Sequence, residues 1–143
     1  MRLLIAGVCL PFIVSGVTKL ANLSTAEAEF SGPGLPAPAL MVAATIVVQL
    51  GGSAMAVLGR GRAAALGSAA LAAFTMLATL IAHAFWRFEG PARSQQTNVF
   101  LEHLSIVFGL LLISWLHARA PRQVIQTIDD VDAGAGVDRR QTP

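Results

Sequence analysis

The chain has 143 residues, of which 55% are hydrophobic and 13% charged, with no tyrosine and a mean hydropathy of +0.65. Water-soluble domains carry about 25% charged residues, so the composition excludes an ordinary soluble enzyme and indicates a protein of the lipid bilayer. The formal net charge of +2 does not signal nucleic acid, because the cations sit at the ends of apolar blocks and no basic face is interleaved with aromatics.

Four apolar blocks follow one another, each close to the roughly 20 residues that cross a bilayer. The first runs from about Leu3 to Leu20, with Arg2 ahead of it and Lys19 near its end. It reads as an uncleaved helix: the signal-peptidase-like Ala26-Glu27-Ala28 lies too far beyond the apolar stretch, and Lys19 intervenes. The single cysteine, Cys9, lies inside this block. That excludes a CxxC redox pair or a thiolate zinc cluster within one chain.

In the connector after it, Ser24-Thr25-Ala26-Glu27 has the S-x-x-E spacing of a capping box. It predicts a surface helix of about two turns, ended by Gly32-Pro33-Gly34. The second span is expected over about Ala39 to Leu58, then a basic turn, Gly59-Arg60-Gly61-Arg62, and a third span over about Ala63 to Trp86. Arg87 to Thr97 reads as a polar loop, and the fourth span covers about Asn98 to Leu116. Residues 1–117 thus make one all-α unit, an integral membrane antiparallel four-helix bundle. Residues 118–143 carry Asp129, Asp130 and Asp132 with little to bury, and read as a disordered cytoplasmic tail. Arg2, Arg60, Arg62, Arg119 and Arg122 fall on one side, and Lys19, Arg87 and Arg93 on the other. By the positive-inside rule both termini are expected in the cytoplasm.

Residues three or four apart share one helical face, which sorts the spans into stripes. Thr45, Gln49, Gly52 and Ala56 form one, Ser68, Ala72, Thr75, Thr79 and His83 a second, and Asn98, Glu102, Ser105 and Gly109 a third. Small and polar residues serve helix contacts in membranes, so these stripes are expected to face inward. The polar-pocket candidates are Lys19, Gln49, His83 and Glu102, with Thr45, Thr79, Asn98 and His103 as secondary candidates. Lys19 and Glu102 each lie about one turn inside the outer boundary, where a charge is costly unless paired, so they are expected to face one another. A haem or metal site on His83 and His103 is not expected, because no third ligand is evident and His103 lies about 100° round its helix from Glu102. Phe85-Trp86 and Trp115 read as aromatic-belt anchors.

Several segments carry a family resemblance. They are Val14-Ser15-Gly16-Val17-Thr18-Lys19-Leu20, Gly34-Leu35-Pro36-Ala37-Pro38, Gln49-Leu50-Gly51-Gly52, His83-Ala84-Phe85-Trp86 and Phe100-Leu101-Glu102-His103-Leu104. In this order the chain resembles the DoxX-like family of small membrane proteins, over about Leu3 to Leu116. The sequence departs from that pattern at Gln49, where many relatives carry Glu, and at Glu102-His103, where Lys-Asn is common. The resemblance implies a bacterial inner-membrane location and kinship with subunits of quinone-linked oxidoreductases, thiosulfate:quinone oxidoreductases among them, or with partners of redox-defence proteins.

The leading expectation is an accessory or quinone-interacting subunit of a membrane redox system, not a catalyst acting alone. The sequence shows no flavin, haem or iron–sulfur motif, so no intrinsic cofactor is expected and quinone is the candidate ligand. The alternatives are a non-enzymatic assembly protein, or a small-solute transporter, which the absence of an internal repeat disfavours. Expected partners are the lipid bilayer and a redox protein or a second copy of the chain.

Overall fold

The computed structural model describes residues 1–31 and 37–119. Helix α1 spans Arg2–Ala21, α2 spans Leu23–Ser31, α3 spans Pro38–Ile46 and α4 spans Gly52–Leu58. Helix α5 then covers Arg62–Ala82, and α6 covers Gly90–Arg119. One π-helical turn, Val47–Gly51, joins α3 to α4, so Pro38–Leu58 is a single span of 21 residues. Four helices are long and apolar enough to cross a membrane, and the protein is an all-α, multi-pass membrane bundle.

The short helix lies where the capping-box spacing puts it, but Ser24 is not its cap. The chain leaves α1 for one residue only: Asn22 N–H donates to Thr18 O at 3.1 Å, and Asn22 O accepts from Ala26 N–H at 3.1 Å. Asparagine is as good a helix-start residue as serine, and Ser24 Oγ sits 3.3 Å from Asn22 Oδ1 inside the first turn. The expected stop at Gly32-Pro33-Gly34 lies outside the described residues, as does residue 120 onward of the expected tail.

Two boundaries differ from the sequence expectation. Helix α5 ends at Ala82 rather than Trp86, and Phe85–Arg87 form a separate 3-10 turn. There the rings of Phe85 and Trp86 lie edge-on to Phe100 of α6, at 5.3 and 6.2 Å between centroids, so aromatic packing outweighs continuation of the helix. Helix α6 begins at Gly90, about two turns before Asn98. Pro91 suits a first helical turn, and Gly90 takes the φ of +58° that precedes it. The polar run Arg93 to Thr97 marks the edge of the apolar layer, not the edge of the helix.

Packing explains why the spans stay together in lipid, where apolar burial offers little net drive and close backbone approach matters more. A Cβ added at Gly67 would lie 2.6 Å from Met55 Cβ and 2.7 Å from Gly52 O, and one at Gly52 would lie 2.9 Å from Leu71 Cγ. These two glycines bring α4 and α5 into backbone contact. Gly16 lets the Leu50 side chain close on α1, with its carbons 2.8 Å from where a Cβ would stand. Ile5, Cys9, Phe12, Ala56, Leu71, Ala72, Val107 and Leu110 fill the centre, while Leu3, Val47, Leu66 and Phe108 point outward, as a lipid-facing surface allows. Helix α6 packs chiefly on α5 and little on α1, which leaves the bundle open along one side.

Candidate functional site

Toward the end that carries Lys19 and His83, the open side widens into a cavity of about 540 Å³. Its wall is mostly apolar, from Pro11, Phe12, Phe74 and Ile106, and its polar residues are Ser15, Lys19, Glu29, Thr45, Gln49, Thr75, Thr79, His83 and His103. Three of the four leading sequence candidates therefore line one space, together with three of the four secondary ones. Glu102 and Asn98 do not line it.

Each polar side chain has an identifiable holder. Lys19 Nζ donates to Glu29 Oε2 at 2.7 Å, so α2 folds back over the end of α1 and closes the outer edge of the cavity. The expected pairing of Lys19 with Glu102 is not formed. Glu102 is exposed on the far side of α6, with Asn98 and Ser105 exposed beside it. The whole third stripe points away from the bundle, and His103, about 100° round the helix, takes the inward position with Val107 and Leu110. The physical reason is that membrane packing accepts apolar residues on both faces. A polar stripe therefore has no fixed sense, and Ile106, Val107 and Leu110 fit α5 better than Ser105 and Gly109 would.

The two histidines meet at the mouth of α5 and α6. His83 sits just past the end of α5, its N–H bonded to Thr79 O at 2.9 Å, and its Nδ1 lies 2.8 Å from Gln96 Oε1. His103 Nδ1 lies 3.1 Å from Thr79 Oγ1. The ring centroids are 5.0 Å apart, tilted by 58°. Hydroxyls of Ser68, Thr75 and Thr79 return to carbonyls four residues back, at 3.0, 2.7 and 2.6 Å, a local solution that satisfies buried hydroxyls without a partner helix. Among the described residues no three His, Cys, Asp or Glu side chains gather into a metal-binding group.

Among the polar lining residues described, Gln49 carries a fully buried atom whose need is unmet. It lies in the π turn at 6% exposure, and its Oε1 is buried with no hydrogen-bond partner among the described residues. An orphaned buried acceptor carries a real desolvation cost, and π turns recur at functional sites. The stripe periodicity located Gln49; nothing in the sequence flagged the π turn, Glu29 or Gln96.

Residues 1–84 match the family model described as DoxX, a stretch that contains Lys19, Thr45, Gln49, Thr79 and His83 and ends before α6. No curated protein and no solved structure matches the chain. With more than half of its 143 residues inside that match, and with four apolar helices packed as described, the chain belongs to the DoxX family.

Proposed function

We propose that this protein is an accessory, quinone-interacting subunit of a redox system in the bacterial inner membrane, with both termini cytoplasmic. The observation that carries the reading is the 540 Å³ cavity: an apolar space with a few convergent polar groups is the usual form of a small-ligand site. It lies beside the flank where α6 packs little on α1, and its polar groups come from several elements, among them Lys19 of α1, Gln49 of the π turn, Thr79 of α5 and His103 of α6. A membrane-dissolved ring with an oxygen at each pole suits that arrangement. The chain brings no sequence motif for flavin, haem or iron–sulfur clusters, so it supplies a binding site while a partner carries the electrons.

Gentle detergent extraction, followed by mass spectrometry of co-purifying lipids, quinones and proteins, tests this. A bound quinone or a redox partner is expected. A clean homo-oligomer without ligand would favour the second reading, a membrane assembly protein, for which the outward stripe Asn98, Glu102 and Ser105 is the supporting observation. A carboxylate facing lipid is costly, and a neighbouring subunit would relieve it. The orientation rests on Arg2, Arg60, Arg62 and Arg119 at one end of the bundle. A cysteine placed at Ser94 should be labelled from the periplasmic side only, and labelling from the cytoplasm alone would invert the topology.

A further inference from the structure

A second space adjoins the first. It has about 200 Å³ and lies between α1 and α2, where Thr18, Asn22 and Thr25 line it together with Ser15, Lys19 and Glu29. The last three line the large cavity as well. The two spaces therefore meet at the Lys19–Glu29 pair, and they differ in character on its two sides. The small one is walled by hydroxyls, an amide and the ion pair, partners enough to hold water, whereas a mostly apolar wall favours a dry space. The pair is graded in the same sense: the Glu29 side chain is 53% exposed and the Lys19 side chain 16%.

The pair is also placed where it can part. Asn22 alone separates α2 from α1, at φ −142° and ψ 72°. Among the described residues Lys19 Nζ to Glu29 Oε2 is the one side-chain hydrogen bond between the two helices. An ion pair with a half-exposed member contributes little to stability, so separating it costs little. Phe30, the next residue after Glu29, lines the large cavity. A displacement of this end of α2 therefore breaks the ion pair and shifts the cavity wall together.

We infer that the small space is an aqueous vestibule of the large one, and that the Lys19–Glu29 pair is the latch between them. Paired, the two side chains hold vestibule water out of the cavity; parted, they admit it. The use of such an entrance rests on the reading of the cavity as a quinone site. A ring dicarbonyl becomes its diol by taking up two electrons, which the redox partner supplies, and two protons, and the reverse step releases both. Lipid carries no protons, so the protons need a path to water, and the vestibule is that path.

Thiol labelling of the full-length protein in nanodiscs tests the latch, with a small cationic methanethiosulfonate that does not cross lipid. Ala78 lines the large cavity and not the small one, so Ala78→Cys places a thiol behind the latch. The parent, whose Cys9 is fully buried, gives the blank. Lys19→Met and Glu29→Ala, each added to Ala78→Cys, should both speed modification by about three- to fivefold, the most that loss of such an ion pair supports. Charge attraction alone predicts otherwise: removing the ammonium favours a cationic reagent and removing the carboxylate disfavours it. Rates that move in opposite directions, or that stay unchanged, would overturn the inference. So would modification of Ala78→Cys, with the pair intact, as fast as that of Thr25→Cys in the vestibule. The ligand reading is scored separately, by whether a fully substituted short-chain benzoquinone protects Ala78→Cys in the Glu29→Ala background. Absence of protection there would count against the quinone site, while faster labelling in both latch variants would still support the vestibule.

Discussion

At the arginine-rich end of the bundle Gly52 and Gly67 draw α4 and α5 into backbone contact, and Ser114 of α6 donates to Ala65 O of α5 at 2.9 Å. At the other end of the same spans, α3, the π turn and α5, carrying residues of similar size, flank a cavity. Small residues do not by themselves decide between these outcomes. A glycine opposite a glycine closes the gap between two backbones, whereas Thr75, Ala78 and Thr79 opposite the π turn and the open flank of α1 leave space. The closed end fixes the relative position of the spans; the open end holds polar groups at defined places without filling the volume between them. If the open end is a ligand site as proposed, stability and ligand binding reside in different halves of the same spans, and substitutions should separate them.

The largest loss is expected at the closed end. Gly67→Ala places a methyl 2.7 Å from Gly52 O and 2.9 Å from Ala56 N. Neither backbone atom can turn aside, so overpacking should cost about 2–3 kcal/mol, measured by SDS-induced unfolding in mixed micelles. Ligand affinity of the folded fraction should be unchanged. At the open end Thr79→Val removes the acceptor that holds His103 Nδ1, and leaving a donor unpaired there should cost about 1–2 kcal/mol. Unlike the glycine change, it should also weaken ligand binding.

Gln49→Leu sharpens the contrast by reversing the sign. Removing a buried acceptor without a partner should stabilise the empty protein by about 1 kcal/mol, while ligand binding falls. That is the trade-off expected where a site keeps an unsatisfied group for its ligand. A loss of stability instead would mean that the amide supports the fold.

The smallest effect is electrostatic. Glu29 is half-exposed, at 53% of its side chain, so its pairing with Lys19 should yield a coupling below about 1 kcal/mol in a double-mutant cycle of Lys19→Met with Glu29→Gln. The cycle of Lys19→Met with Glu102→Gln should show none. A sizeable coupling in the second cycle would restore the pairing expected from the sequence.

Much of this was legible in the sequence. The four spans, the surface helix, and the inward stripes through Thr45-Gln49 and Thr75-Thr79 follow from apolar block length and helical period, because in those helices small and polar residues coincide on one side. Helix α6 was not legible in the same way. It is at the edge of the bundle and has one polar face toward its neighbour, at Gln96 and His103, and another facing out, at Asn98 and Glu102. Period alone cannot rank two such faces. The choice follows from fit to α5, a tertiary fact. Lys19 was recognised as needing a carboxylate, but Glu29 and Glu102 were both within a plausible turn of the outer boundary. Which of them it meets depends on α2 folding back, which no local signal announces.

The claim that the open end is a ligand site is tested most directly by filling it. Ala78 lines the cavity and is away from the glycine contacts, so Ala78→Trp should occupy the space while leaving the closed end intact. The parent and this variant would be extracted from the same native membranes into polymer nanodiscs, and bound quinone and quinol counted per chain by mass spectrometry. The account predicts a bound quinone or quinol on the parent and its loss from Ala78→Trp, at unchanged thermal stability. Equal amounts on both proteins, or none on either, would contradict it.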